Sequence, residues 1–417
     1  SSDLKHADGT GTATVQCGVT LHDLQQETEE LGLLYPPDPT ERYCFIGATI
    51  ANNSSGARTF KYGPTRDYVW RLKVALATGE ILDIRRGEIL ADNAGNFDFA
   101  LPSGKRLSFP IARYTMPKTS KHMAGYYSAP NMDLIDLFIG SEGTLGFILE
   151  AELKLIPKPE KTIGFLAYFP DEENLLRFVR EARAKSKSAA PLAALSARAI
   201  EFLDVHSLNF LRQKYPNIPD VAKGAVFFEQ EVTAATEDAI LTEWYEFMEK
   251  HNALLDESWA ALSVEDQRNL REFRHSLPVL VNEWLSKQET RKVSTDMAVP
   301  EERFDELFKT YQTECTTNNL PYILFGHIGD CHLHLNILPR SPEEFERAKA
   351  LYDAFIRKSL ELGGTISAEH GVGKLKSKYL AMMFGEEGIR EMVRIKKTFD
   401  QNLILNIGNL IPEQYLQ

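Results

Sequence analysis

From Arg291 to His370 the chain alternates strand-like and helix-like segments in an order that few folds can accept. RKVSTDMAV reads as a strand, and Pro300 then stands at the first position of a helix reaching about Thr316. YILFGHI and HLHLNIL follow as two strands, PEEFERAKALYDAFIRKSLELG as a helix closed by Gly363, and TISAEH as a last strand. Proline suits the first helical turn because an N–H there would have no partner, and glycine suits the end because it adopts positive φ. The order β-α-β-β-α-β is the split ferredoxin-like unit. Earlier strands (TIGFLAYF, GAVFFEQEV) and helices (AATEDAILTEWYEFMEKH) share this regular texture, so the expected class is α+β.

The two middle strands carry FGHIGDCHLHLN, Phe325 to Asn336. With Asp330 and Cys331 as the two turn residues, His327 would face His334 across the hairpin, their Cβ atoms roughly 4.5–5.5 Å apart. Two imidazoles so placed can bind one ion. His332 would share the face of His334, one step along, as an outer neighbour of the ligands. Cys331 falls where such a turn requires positive φ, which strains any residue but glycine, and a longer loop would change the register.

At 417 residues the chain suits two or three domains. The first boundary falls at Pro157-Lys158-Pro159, giving an N-terminal domain over 1–157, a second domain over 158–370 and a C-terminal segment over 371–417. A formal net charge of -12 argues against nucleic acid, which selects basic faces. No apolar run is long enough for a transmembrane helix and no export signal is evident; the expected location is the cytoplasm, with contact at a membrane surface left open. Four scattered cysteines form no CxxC, which argues against an iron–sulfur cluster or a zinc ribbon and fits a reducing compartment.

In the N-terminal domain TATVQCGV reads as a strand, and Thr20 can cap a helix over LHDLQQETEELG. Prolines 36, 37 and 39 then forbid helix. The small and polar stretch Gly47, Ala48, Ala51, Asn52, Asn53, Ser54, Ser55 and Gly56 lets backbone approach a ligand and offers N–H donors; a mobile surface loop is the alternative. VWRLKVALATGEIL is a strand with a turn at Thr78-Gly79, 91–128 is a long excursion of little periodicity, and a strong strand after Gly140-Ser141-Glu142-Gly143 runs to Pro157.

SAEHGVGK, Ser367 to Lys374, adds Glu369 and His370. Adjacent strand residues point to opposite faces, so both serve one site only where the strand ends, and Gly371 and Gly373 can bend it there. Glu369 with His327 and His334 makes a two-histidine, one-carboxylate set with open positions for substrate, and His370 remains as a base; a solvated strand end is the alternative. A divalent ion lowers the pKa of a bound hydroxyl and a neutral histidine can accept that proton, which is the chemistry of alcohol oxidation. A hydride acceptor is then needed. No G-x-G-x-x-G follows a strand and opens a helix, so nicotinamide in a Rossmann domain is unsupported and flavin is left.

PPDP, GATIANNSSGARTFKYGPTRDYV, GSEGTLGFI, GHIGDCHLHLN, SAEHGVGK and the closing FDQNLILNIGNLI together resemble the FAD-linked oxidases of the vanillyl-alcohol-oxidase type. They most resemble the D-lactate, glycolate and D-2-hydroxyglutarate dehydrogenase branch, in order through nearly the whole chain. The resemblance implies a PCMH-type FAD-binding domain, a substrate or cap domain of ferredoxin-like units holding the metal site, and a C-terminal segment that returns to the flavin. It places Pro37, Gly47, Ala48, Ala51, Asn53, Gly56, Tyr62 and Gly63 at the flavin, Glu142, Gly143 and Ile148 near its adenine half, and Asn406 over the ring. It makes His327, His334 and Glu369 ligands of a divalent metal (zinc, with manganese or iron as alternatives), His370 the proton-abstracting base, and Arg274 of FRHSLP a carboxylate-binding group. A helix-surface charge is the alternative for Arg274.

The implied reaction is oxidation of a D-2-hydroxy acid to the 2-oxo acid, with hydride passing to flavin N5. The implied electron acceptor is a quinone, a cytochrome or an electron-transfer flavoprotein rather than NAD, and the assembly is left open, a homodimer among the options. Family chains also carry an upstream Gly/Ser/Thr-rich loop for the FAD pyrophosphate, and nothing of that composition precedes VQCGV; either that part is missing from this sequence or FAD binding is impaired. Cys331 replaces a turn glycine, Asn406-Ile407-Gly408-Asn409 lacks the lysine of the family's Asn-Pro-Gly-Lys, and Ser294 stands where some members place a lysine for a distal carboxylate. That last departure favours a smaller substrate than 2-hydroxyglutarate. The competing expectations are a flavin-free zinc hydrolase using the same ligands and a non-catalytic subunit that has lost FAD binding.

Overall fold

The computed structural model describes residues 6–188 and 195–417. The chain divides into two compact units. One comprises Ser1–Gly56, Tyr62–Lys158 and Ser359–Gln417; the other comprises Ala57–Lys61 and Pro159–Lys358. The chain enters the second unit briefly at Ala57–Lys61, passes to it again after Lys158 and returns to the first unit at Ser359.

The first unit is built on β1 (Gly11–Gln16), β2 (Leu33–Leu34), β3 (Val69–Ala75), β4 (Ile81–Arg85), β5 (Asn96–Ala100), β6 (Arg106–Pro110) and β7 (Phe147–Pro157). Its main sheet has the order β1-β7-β3-β4, with β2 also on β7, and all these pairings are antiparallel. The Thr20 side chain accepts from the Asp23 N–H and starts the helix Leu21–Glu30, as expected of a threonine cap. The excursion at 91–128 holds more order than its composition implies: β5 and β6 form a separate hairpin. Phe97, Phe99, Leu107 and Phe109 alternate inward along NFDFA and RLSFP, a period-2 pattern too short to stand out among the surrounding glycines and prolines.

In the second unit β8 (Lys161–Phe169), β9 (Ala197–Asp204), β10 (Gly224–Val232), β11 (Trp259–Ala261), β12 (Val293–Ser294), β13 (Tyr322–Gly326) and β14 (His334–Ile337) join in one sheet of order β11-β8-β10-β9-β13-β14-β12. The first four, with helices Glu172–Ser188 and Glu237–Lys250, complete a β-α-β-β-α-β unit. Phe165 and Phe228 on one face meet Phe178 and Trp244 of those helices, and Phe247 packs on both of the latter. On the other face Ala225, Phe227 and Leu203 pack with Leu270, Phe273 and Leu277 of the long helix Val264–Lys287, whose start is fixed by a Ser263–Asp266 capping box.

The unit expected at 291–370 is incomplete. β13, β14 and β12 take the ferredoxin-like order, but TISAEH forms no strand. Its polar groups are used locally: Thr365 Oγ1 donates to the Ser367 carbonyl, Ser359 Oγ donates to the Thr365 carbonyl, and Met123 N–H takes the Ser367 carbonyl. Such side-chain bonds compete with a sheet ladder.

Candidate functional site

The hairpin register differs from the sequence expectation by two residues, because Phe325, not His327, opposes His334. The connection is a longer loop rather than a two-residue turn. Ile328–Asp330 form a 3₁₀ turn, and Cys331 follows in the left-handed region at φ 55°. Arg183, buried in helix Glu172–Ser188, secures that turn by donating from Nε to the Gly329 carbonyl (3.1 Å) and from Nη2 to the Ile328 carbonyl (2.5 Å). Gly326 at φ 120° is required as well, since a Cβ there would lie 2.9 Å from His334 Cδ2.

The loop still gathers its histidines. Ring centroids lie 5.4 Å apart for His327 and His334, 5.6 Å for His327 and His332, and 4.6 Å for His332 and His334. His332, expected as an outer neighbour, is fully buried and as close to His334 as any ring in the group; its Nε2 lies 3.3 Å from Asp296 Oδ1. His327 Nδ1 lies 2.5 Å from Glu201 Oε1, and the second oxygen of Glu201 accepts from Arg274 Nη2 at 2.7 Å. Arg274 is thus tied to the histidine loop through Glu201 and is no isolated surface charge. Sequence reasoning missed Glu201 and Asp296. The available signal was a lone carboxylate inside an apolar run, AIEFL for Glu201.

This donor set could hold a metal: three imidazoles, two of them with a nitrogen beside a carboxylate, as in carboxylate–histidine–zinc arrangements. Ser294 Oγ donates to Asn336 Oδ1 (2.5 Å), so the position compared with a lysine carries no charge.

In the first unit the small-residue stretch folds as a short helix, Ile46–Ala51, and a tight turn. Ile46, Thr49 and Ile50 are buried and Gly47 packs against Cys17, where a Cβ would lie 2.7 Å from the Cys17 Cβ, which leaves Ala48 and Ala51 on the more open side, a face with no long side chain. Such a face fits close approach of an extended cofactor. The stretch is less of a donor nest than expected, because the N–H groups of Gly47, Ala48, Asn52, Asn53 and Ser54 bond to chain carbonyls. Gly56 is there for packing: a Cβ would lie 1.9 Å from the Asp38 carbonyl oxygen, next to Pro37, whose own carbonyl accepts from Gln25. Asn53 Oδ1 accepts from the Arg66 N–H, and the Tyr62 carbonyl, next to Gly63, accepts from the Tyr68 hydroxyl.

Glu142 does internal work. Its carboxylate accepts from Val372 N–H (2.7 Å), Gly373 N–H (2.9 Å) and Asn409 Nδ2 (2.7 Å), while its carbonyl accepts from Asn406 Nδ2 (2.6 Å). Burial nonetheless pushes its carboxyl above the usual range. Gly143 adjoins Asn406, and Ile148 lies buried in β7. Glu369 Oε1 meets the ammonium of Lys121 at 2.6 Å and the Ser55 hydroxyl at 3.2 Å; Lys121 also donates to the Gly56 carbonyl. Lys121, fully buried, was not singled out in the sequence because KTSKHM has no pattern to mark it. His370 is exposed. Glu369 and His370 thus belong to the first unit, and His327, His334 and Arg274 to the second.

Two family descriptions match. "FAD linked oxidases, C-terminal domain" covers residues 158–410 and "FAD binding domain" covers residues 2–85. The glycolate oxidase subunit GlcD of Bacillus subtilis (strain 168) is 34% identical over 407 residues, covering 96% of this chain and 76% of that protein. A D-lactate dehydrogenase of Anaerostipes hadrus is 30% identical, covering 95% of this chain and 75% of that protein. Among solved structures, 4-ethylphenol oxidase from Gulosibacter chungangensis superposes with a TM-score of 0.64 at 17% identity, over 97% of this chain and 77% of that one, a likeness of fold.

Proposed function

The chain belongs to the FAD-linked oxidases, and on that footing we propose that it oxidises a small D-2-hydroxy acid, of the size of D-lactate or glycolate, to the 2-oxo acid. The observation that carries this reading is the gathering of His327, His332 and His334 at the turn between β13 and β14, with Arg274 tethered beside it through Glu201. Imidazoles suit a divalent ion, and a guanidinium suits a carboxylate. The names of the relatives support the substrate class.

In this reading His327 and His334 hold the metal, with Glu369 as the carboxylate ligand that the sequence resemblance implies. A divalent ion, when bound, supplies Lewis acidity toward a hydroxyl. FAD, when bound along the stretch of Gly47, Ala48 and Ala51, supplies the hydride acceptor. Arg274 binds and orients the substrate carboxylate. His370 accepts the hydroxyl proton, and the turn that carries it is held by Glu142 through Val372 and Gly373. Ser294, bonded to Asn336, offers no cation to a second carboxylate, which favours a monocarboxylate over 2-hydroxyglutarate. The electron acceptor is a quinone, a cytochrome or an electron-transfer flavoprotein; among the described residues no helix is long and apolar enough to cross a membrane.

The test is anaerobic mixing of full-length, FAD-loaded protein with D- and L-2-hydroxy acids while flavin absorbance is followed. Bleaching by D-lactate or glycolate, with the L-acids inert, is the expected result. Failure of every acid in the panel to bleach the flavin would overturn the reading.

A further inference from the structure

We propose that Glu201 is the positioning residue of the histidine site, fixing through one oxygen which nitrogen of His327 can bind a metal and through the other the place of Arg274. The inference rests on the metal-assisted reading above. Every residue of β9 is buried, and Glu201 is the carboxylate in the middle of it, on the face it shares with Leu203 beneath helix Val264–Lys287. A buried carboxylate is tolerated only where its oxygens are bonded, and here the two are divided between two partners. Oε1 faces His327 Nδ1 at 2.5 Å and Oε2 faces Arg274 Nη2 at 2.7 Å.

The sheet fixes this arrangement. Phe202, next to Glu201, pairs with Gly326, next to His327, so the carboxylate and the imidazole leave adjacent strands at a set distance. Phe227 opposes Glu201 on β10, and the Arg274 guanidinium lies 5.9 Å from the centre of its ring. A neutral imidazole carries one proton. An acceptor at Nδ1 places it there and keeps the lone pair on Nε2, the nitrogen through which His327 then ligates.

The experiment is Zn²⁺ affinity of the purified protein by chelator competition, for wild type, Glu201→Ala, Glu201→Gln, Arg274→Ala and His334→Ala, with circular dichroism reporting the fold. Glu201→Ala should weaken Zn²⁺ binding roughly 10- to 100-fold, the range found when outer carboxylates of metal sites are removed. Glu201→Gln keeps a carbonyl acceptor for His327 Nδ1–H but turns an amide NH₂ toward Arg274. It should therefore keep Zn²⁺ affinity and raise KM for the hydroxy acid, as Arg274→Ala also should. Wild-type affinity in Glu201→Ala, or equal losses in the Ala and Gln variants, would overturn the inference while leaving the metal site standing. Wild-type protein with no His334-dependent Zn²⁺ site would overturn the metal reading and this inference with it. Should Glu201→Ala fail to fold, ¹⁵N imidazole shifts of the metal-free wild type decide: His327 protonated at Nδ1 is expected, and protonation at Nε2 overturns the assignment.

Discussion

The ammonium of Lys121 lies 2.6 Å from Oε1 of Glu369, with neither side chain more than 8% exposed. Removing one partner of a buried ion pair leaves the other charge desolvated and uncompensated. Lys121→Met should therefore cost about 3 kcal/mol in urea unfolding, and Glu369→Gln, which keeps an acceptor for Lys121 and Ser55, should cost less. Two variants of equal stability to wild type would show that the pair is solvated.

The α+β class and the helix ends were legible because hydrophobic period and caps are local: Thr20, Pro342 and Gly363 mark helix ends where the structure has them, whereas the expected strand TISAEH is absent and the β5–β6 hairpin was not foreseen. The histidines were legible because three in eight positions stand out in any chain. The hairpin register was not, since it depends on a left-handed Cys331 and on Arg183, far away in sequence, bonding the Ile328 and Gly329 carbonyls. Glu201 and Lys121 were illegible for the same reason. Each is one charged residue whose partners lie far away in sequence, His327 and Arg274 for Glu201 and Glu369 for Lys121.

Lys396 and Asp400 form a second buried pair at 2.9 Å, and Asp400 also accepts from the N–H groups of Ile404 and Leu405. Burial pushes the Asp400 carboxyl up, but the Lys396 bond and the two N–H groups outweigh it and hold the group below the usual range. A depressed carboxyl stabilises the fold above its unfolded pKa, and the benefit is lost as pH falls through the folded value. Lys396→Met should thus be destabilised by about 3 kcal/mol at neutral pH, and the gap to wild type should shrink below about pH 4 as the carboxyl protonates. A gap independent of pH would mean that lost packing, not the ion pair, sets the cost.

Cys315 and Cys331 are buried, and burial pushes both thiols up to about 12. The thiolate is the reactive species, so neither should react with a disulfide reagent in the native protein at pH 8. Peptide mapping should find the label on half-buried Cys17 and Cys44, and on all four cysteines only after unfolding. Early labelling of Cys331 would show that the histidine loop opens.

His334 and His370 should separate metal binding from proton transfer. His334 lies within 5.4 Å of His327 and within 4.6 Å of His332 between ring centroids, so His334→Ala removes a donor from a gathered set. Bound metal and turnover should fall together. His370 is exposed beside a turn that Glu142 holds through Val372 and Gly373, so His370→Ala disturbs no buried packing and should fold as wild type. Loss of a general base typically costs about 10²- to 10⁴-fold, and turnover should drop by that amount with metal content unchanged. Metal analysis and single-turnover flavin reduction on the same preparations give both quantities. Equal metal in all variants would remove His334 from the ligand set, and unimpaired flavin reduction in His370→Ala would assign the proton to another acceptor.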